Sequence, residues 1–258
     1  MSVTEKIRLA ISGTYSTGKS TTTEALSIAT GIPRTHAMTS REILMEMVPG
    51  KTVMELNAME LVLLAMRRFE ERVHNEGVGV DSFISDGGCV HEWVYFEARM
   101  RIGINPGNAW WLGALKTLAG LPVKRFYQQY TDMLGVVTKA RARRVYDAYV
   151  HLPVEFDMDP DGHRPVSEPF RRLSEQLLLE ALEEVGLPYH IVGGTVRERL
   201  EKIISIFDFP VIVPLDEAIE EAERRVASAI EVLKSDARYH EAQRQKSLRR
   251  RIAWALRY

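Results

Sequence analysis

The chain has 258 residues, 45% of them hydrophobic and 27% charged, with a formal net charge of −1. That describes one sizeable globular α/β domain plus an extension, and it makes no global case for nucleic-acid or membrane binding. A single cysteine, Cys89, excludes an intrachain disulfide and fits a reducing compartment, so a soluble cytoplasmic protein is expected. No uncharged apolar run approaches the roughly 20 residues that a spanning helix needs, and the N-terminus has no signal-peptide pattern.

Ile7-Arg8-Leu9-Ala10-Ile11 reads as a buried strand. Gly13-Thr14-Tyr15-Ser16-Thr17-Gly18-Lys19-Ser20 follows, and Thr21 to Ala29 opens a helix. Strand, glycine-bounded loop and helix make the setting in which this spacing cradles phosphates. The glycines let successive N–H groups turn inward as an anion nest, and the helix N-terminus adds its positive dipole end. Residues 13–21 are therefore expected to bind a nucleotide. Lys19 would reach the β/γ-phosphates, and the Ser20 hydroxyl would help hold Mg²⁺.

Further along, Arg34 to Thr39 is expected to be a short second strand, and Ser40 to cap a helix over 41–47. A helical run over about 53–75 places Leu56, Met59, Leu63, Met66 and Val73 near one spacing. Ser82 to Asp86 reads as a core strand ending in an acid, followed by Gly87-Gly88 and a helix over 89–101. Residues 102–123 are irregular around Trp110-Trp111, and a helix follows over about 124–146. Ala148 to Val154 predicts a strand and residues 157–165 a polar loop. Pro169 to Val185 predicts a helix, Tyr189 to Val192 the last strand, and 196–207 a further helix. Beyond Pro210 and Pro214, apolar residues at 3–4 spacing from Leu215 to Leu233 predict a C-terminal helix. The order predicts an α/β P-loop fold, a parallel sheet with helices on both faces. Its expected bounds are 1–207, with an inserted helical and aromatic segment at about 99–140 and a C-terminal helical extension over 208–258.

Asp86, at the carboxyl end of a core strand, faces the crevice where such sheets bind ligands. It would join the Mg²⁺ shell or take the proton of an acceptor hydroxyl; the sequence leaves both roles open. His36, Arg41, His91 and Glu92 fall where acceptor contacts are plausible. Arg141 and Arg144 share a helix face at i, i+3 and would suit a phosphorylated substrate or simply balance acidic residues. Charge is uneven: residues 99–150 carry nine Lys/Arg against two acids, and the last 22 residues seven against Glu241 alone. The basic tail is expected to pack on the domain or on another subunit.

The chain resembles the small P-loop kinase domain of nicotinamide-riboside-kinase type, grouped with generic AAA-type ATP-binding domains. Beyond the phosphate loop, the resemblance rests on Tyr146-Asp147-Ala148-Tyr149 followed by Asp161-Gly162-His163-Arg164. It also rests on Gly186-Leu187-Pro188-Tyr189 and Arg197-Glu198-Arg199. The resemblance implies a kinase-like fold with a lid, ATP and Mg²⁺ as cofactors, and transfer of the γ-phosphoryl to a hydroxyl of a nucleoside-like or sugar-like metabolite. Lys19, Asp86 and Arg164 would carry catalysis, Arg164 lying in a lid that closes over the transferring group. Gly193-Gly194-Thr195 would pass near the adenine. The expected partner is a small-molecule acceptor rather than nucleic acid, with a homo-oligomer compatible. A nucleotide-dependent switch and a polynucleotide kinase are the alternatives. An Asn-Lys-x-Asp motif is absent, which weighs against a guanine-specific switch; the basic stretches are the support for the polynucleotide kinase.

Overall fold

The computed structural model describes residues 6–35, 37–49, 51, 53–77, 81–102, 121–155 and 168–245. Four strands form one parallel sheet in the order β2-β1-β3-β4, namely β1 (Arg8–Ser12), β2 (Phe83–Asp86), β3 (Ala148–His151) and β4 (Tyr189–Ile191). The helices are α1 (Lys19–Thr30), α2 (Ser40–Met47), α3 (Ala58–Gly77), α4 (Val90–Ile102), α5 (Leu121–Val145), α6 (Glu168–Val185), α7 (Val196–Phe207) and α8 (Leu215–Gln245).

Strand alternation divides the core into two layers. Ala10, Phe83 and Tyr149 face a layer built with α3, α4, α5 and α6. Leu9, Ile11, Ile84, Ala148 and Val150 face the opposite layer, with residues of α1, α7 and α8. Residues such as Leu9, Ile11 and Leu26 are fully buried, each contributing about 2 kcal/mol of apolar transfer. Helices thus cover both faces of the sheet. α8 packs on α1, with Ala222 in the same core layer as Ala25 and Leu26, and Arg225 there pairs with Glu24 at 2.9 Å.

Several local expectations shift. Among the described residues of 34–39 no strand forms: Arg34 makes a single bridge to Ile84, and the Thr35 N–H donates to the Ile84 carbonyl at 3.0 Å. Thr39, not Ser40, caps α2, in a reciprocal box with Glu42. This is the Thr-x-x-Glu signature one residue upstream of the expected cap. The long helix is preceded by a separate 3-10 turn over Val53–Glu55, and Asn57 and Glu60 exchange capping hydrogen bonds at 2.9 Å. α5 begins at Leu121, three residues early, with Pro122 tolerated in a first turn whose N–H groups need no partner.

Of the expected apolar stripe, Leu56 is buried ahead of α3 and Val73 is half-buried, but the middle of the stripe faces outward. Met59, Leu63 and Met66 are 64%, 50% and 54% exposed, whereas Leu61, Val62, Leu64 and Ala65 are buried. This stretch is apolar nearly all round, so periodicity alone cannot choose its inner face. The aromatic middle of the chain divides similarly. Trp93 lies in the core, so close to α5 that a side chain on Gly135 would come within 2.8 Å of its indole nitrogen. Trp110-Trp111 lie outside the described residues, as do His36 and Arg164 with the lid expected around it.

Candidate active site

The loop between β1 and α1 has the geometry that its glycines foretell. Gly13 has φ +142°, and a Cβ there would meet the Leu152 carbonyl at 2.7 Å and the Thr17 hydroxyl at 2.8 Å, so no side chain fits. Gly18 (φ 80°) and Ser16 (φ 58°) are left-handed, and the resulting alternation makes a run of backbone N–H groups concave.

What holds the loop open is a set of side chains on its outward carbonyls. His91 Nε2 lies 3.3 Å from the Gly13 carbonyl. Lys19 Nζ (2.5 Å) and the Thr17 hydroxyl (3.0 Å) donate to the Thr14 carbonyl. Arg171 Nε donates to the Tyr15 carbonyl at 3.1 Å, and Arg199 Nη1 to the Thr17 carbonyl at 2.6 Å. In a planar trans peptide the carbonyl and the following N–H point oppositely. The carbonyls of Gly13, Tyr15 and Thr17, held from outside the loop by His91, Arg171 and Arg199, therefore turn the N–H groups of Thr14, Ser16 and Gly18 toward the concave side. Below the loop, His151 is fully buried between the Ser12 hydroxyl (3.2 Å) and Glu175 (3.0 Å).

Asp86 ends β2 in register with Ile11 of β1, two residues before the phosphate loop. Among the described residues neither its carboxylate nor the Ser20 hydroxyl at the start of α1 makes a hydrogen bond or ion pair. Hydroxyl plus carboxylate is a hard-oxygen donor set of the kind Mg²⁺ takes beside substrate phosphates. Ser20 would hold such an ion, and Asp86 would either join its shell or face the acceptor hydroxyl.

The loop after Asp86 is clamped from below by buried charge. Arg72 of α3 donates to the Ser85 hydroxyl (3.1 Å) and the Gly87 carbonyl (3.0 Å). Glu92 is 4% exposed and takes two hydrogen bonds from Arg68, at 2.6 and 2.9 Å, and one from Arg72 at 3.3 Å. Burial alone would raise the Glu92 carboxyl, but the two guanidiniums outweigh it and hold it below the usual range. Glu76 accepts from Ser85 (3.0 Å), Arg141 (3.1 Å) and Tyr146. Reading alone missed this network, although Leu61, Ala65, Arg68, Arg72 and Glu76 continue one helical stripe from apolar into charged residues.

The structure thus separates the sequence-derived acceptor candidates. Glu92 and Arg141 are engaged in buried ion pairs, and Arg144 is exposed, its carbonyl receiving Arg8 at 3.1 Å. Arg141 and Arg144 therefore do not present a joint anion site. Arg41 lies half-buried in the first turn of α2. Thr21 is half-buried in α1; Thr195 caps α7 in a box with Glu198, and the Gly194 N–H donates to Glu155 at 2.8 Å.

His91 joins the phosphate loop to the Asp86 loop. Its Nδ1 lies 2.9 Å from the Gly88 nitrogen and 3.0 Å from the Gly88 carbonyl, and its Nε2 faces the Gly13 carbonyl at 3.3 Å. Burial, then the charges of Lys19 and Arg72, hold the ring well below the usual histidine value of 6.5. A base whose folded pKa is depressed binds fewer protons folded than unfolded, so stability is lost as pH falls below about 6.5. Between pH 7.5 and 5.5 the wild-type thermal midpoint should fall more steeply than that of His91→Gln. The difference corresponds to about 1 kcal/mol per pH unit below the unfolded value. Parallel midpoint–pH curves would refute a neutral His91.

Above the loop, Tyr15 stacks on Tyr95 with centroids 4.6 Å apart, and Phe170 stands 6.2 Å from Tyr15. Arg99 lies over the Phe170 ring at 5.2 Å. Burial, then Tyr15, raises the Tyr95 hydroxyl well above its usual value, so it remains a neutral donor. Arg171, from α6, is 1% exposed, and its Nη2 has no hydrogen-bond partner among the described residues.

A parallel sheet with a phosphate loop after its first strand, an acid ending the adjacent strand and covering helices on both faces defines a P-loop kinase-like fold. A family profile described as an AAA domain (AAA_28) matches residues 8–199, and the chain belongs to that family. The fold is also that of deoxyadenosine kinase from M. mycoides. The structure with bound dATP matches with TM-score 0.55 and 13% identity, over 78% of this chain and 99% of that one. The same enzyme with bound dCTP gives TM-score 0.53 at 13% identity over the same shares. Its structure with dCMP and dCDP gives 0.52 at 15%, over 78% and 98%. No curated protein sequence matches the chain. Among the described residues no helix is long and apolar enough to cross a membrane.

Proposed function

We propose that this protein is a phosphotransferase that moves the γ-phosphoryl of ATP to a hydroxyl of a nucleoside-like metabolite. The observation that carries this reading is the Asp86 carboxylate, unengaged among the described residues and one strand away from a preformed anion nest. The likeness of fold to a deoxyadenosine kinase supports it; the nicotinamide-riboside type of acceptor has no such support.

In this reading the N–H groups of residues 14–18 cradle the β- and γ-phosphates. Lys19 exchanges the Thr14 carbonyl for phosphate oxygens, a change within reach of a flexible four-carbon stem. Arg171, buried beside Tyr15, lends positive charge as the transition state spreads negative charge over the equatorial oxygens. Asp86 takes the proton of the acceptor hydroxyl as that oxygen bonds to phosphorus and the β–γ bridging bond breaks toward ADP. A bound Mg²⁺ would neutralise charge on the phosphates. The Tyr15–Tyr95–Phe170 wall, with the Tyr95 hydroxyl as a donor, suits an acceptor bearing a planar ring.

The test is ADP release from Mg-ATP across a panel of nucleosides, deoxynucleosides, nucleotides and sugars, with an acceptor-free control. Strong stimulation by one ring-bearing acceptor, with the phosphorylated product identified by mass, is the expected result. Slow release independent of acceptor would replace the kinase with a nucleotide-dependent switch.

A further inference from the structure

Arg199 lies in the Arg197-Glu198-Arg199 run of α7, yet its guanidinium is 1% exposed and sits against the phosphate loop. Nη1 donates to the Thr17 carbonyl at 2.6 Å, and Nη2 pairs with Glu155 Oε2 at 3.1 Å. The same carboxylate oxygen accepts the Gly194 N–H at 2.8 Å. One ion pair therefore joins three segments: the phosphate loop, the stretch after β3 and the turn between β4 and α7. The fit is close on both sides. A Cβ on Gly18 would stand 3.1 Å from Arg199 Nη1, and one on Gly193 2.0 Å from Glu155 Oε1.

The consequence follows from peptide geometry. With the Thr17 carbonyl held by Arg199, the Gly18 N–H is turned to the concave side, where a phosphate oxygen would lie. With Glu155 held by Arg199, the Gly194 turn is fixed relative to that same loop. We propose that Arg199 and Glu155 form a positioning clamp that sets the phosphate nest and the Gly193-Gly194 turn as one unit for a nucleoside triphosphate. The clamp touches no phosphate and acts through backbone it orients. It rests on the reading that residues 13–21 bind such a nucleotide.

The probes are ATP and inorganic tripolyphosphate, which shares the phosphate chain but lacks a base, titrated calorimetrically into the full chain. Arg199→Met should weaken both by about tenfold, the size of effect expected when one oriented hydrogen bond is lost. Arg199→Lys, which keeps a donor for the Thr17 carbonyl, should recover part of the tripolyphosphate affinity. Glu155→Gln should cost ATP more than tripolyphosphate, because it loosens the Gly194 turn more than the loop. The ligand-free thermal midpoint is recorded for each variant. A lowered midpoint with unchanged Kd for both probes would mean that the pair is merely structural, and would overturn the proposal. If Arg199→Met fails to fold, Arg199→Lys and Glu155→Gln decide: wild-type affinities in both overturn the clamp. A wild-type chain that binds neither probe would overturn the nucleotide reading, and the clamp with it. Wild-type binding with unaltered variants removes the clamp alone.

Discussion

Asp86→Asn should leave the Kd for ATP within about threefold of wild type while acceptor-dependent ADP release falls by about 10³-fold, the usual range for losing a positioned base. The reason is position. The carboxylate stands at the end of β2, across from Ile11, unengaged among the described residues, and in the proposed reading it takes the proton of the acceptor. Asn keeps the shape and one acceptor oxygen but cannot take a proton at neutral pH. Lys19→Ala makes the contrast, because its ammonium lies in the loop at the Thr14 carbonyl. That variant should lose ATP affinity and turnover together. Direct titration of ATP beside steady-state kinetics separates the two. If Asp86→Asn lowered affinity and turnover equally, the residue would belong to nucleotide binding, and the base assignment would fall.

Glu92→Gln should lower the thermal midpoint by roughly 10 °C, from about 3–5 kcal/mol lost when one partner of a buried ion pair is removed. The glutamate is 4% exposed and faces two guanidiniums, Arg68 at 2.6 Å and Arg72 at 3.3 Å. Neutralising it leaves Arg72 with Glu76 at 3.7 Å as its remaining ion-pair partner among the described residues, and Arg68 without one. The matching control is Glu201→Gln in the exposed Arg197–Glu201 pair, where both side chains are about half exposed. That change should move the midpoint by less than about 2 °C, since exposed pairs are worth little. Equal effects at the two sites would show that the buried network carries no net stability. Because Arg72 also binds the Gly87 carbonyl and Ser85, Glu92→Gln should also loosen Asp86, so its turnover should drop even below its melting transition.

The deoxyadenosine kinase likeness and the family profile agree with the elements that local sequence signals best. The phosphate loop was legible because its chemistry is backbone chemistry: Gly13 and Gly18 mark positions where a Cβ is excluded or φ is positive. Asp86 was legible because an acid after an apolar strand, followed by two glycines, marks the carboxyl edge of a parallel sheet. The cap of α2 was legible in kind and missed by one residue, since Thr39 and Ser40 both carry a capping hydroxyl and the tie is settled by Glu42.

The partners were not legible. Glu92, Arg141 and His91 are residue types that commonly bind substrates, and only the three-dimensional arrangement shows two of them neutralised in a buried network and the third bridging two loops. The separations explain why: Arg141 meets Glu76 across 65 residues and Arg199 meets Thr17 across 182, far beyond any helical or strand period. α3 shows the same limit for apolar residues, because two adjacent stripes were equally hydrophobic and the neighbouring charges chose between them.

By itself, then, the sequence determined where the four strands of the sheet, the phosphate loop and the strand-end acid lie, although it also suggested a strand over 34–39 where the described residues make one isolated bridge. Steric exclusion, dihedral preference and periodicity act over a few residues and leave a local mark. Tertiary structure decided which charges are buried against one another, which face of α3 turns inward and how Arg171, Arg199 and His91 converge on one loop. Those choices balance desolvation against pairing between groups distant in the chain, and the balance exists only once the fold brings them together.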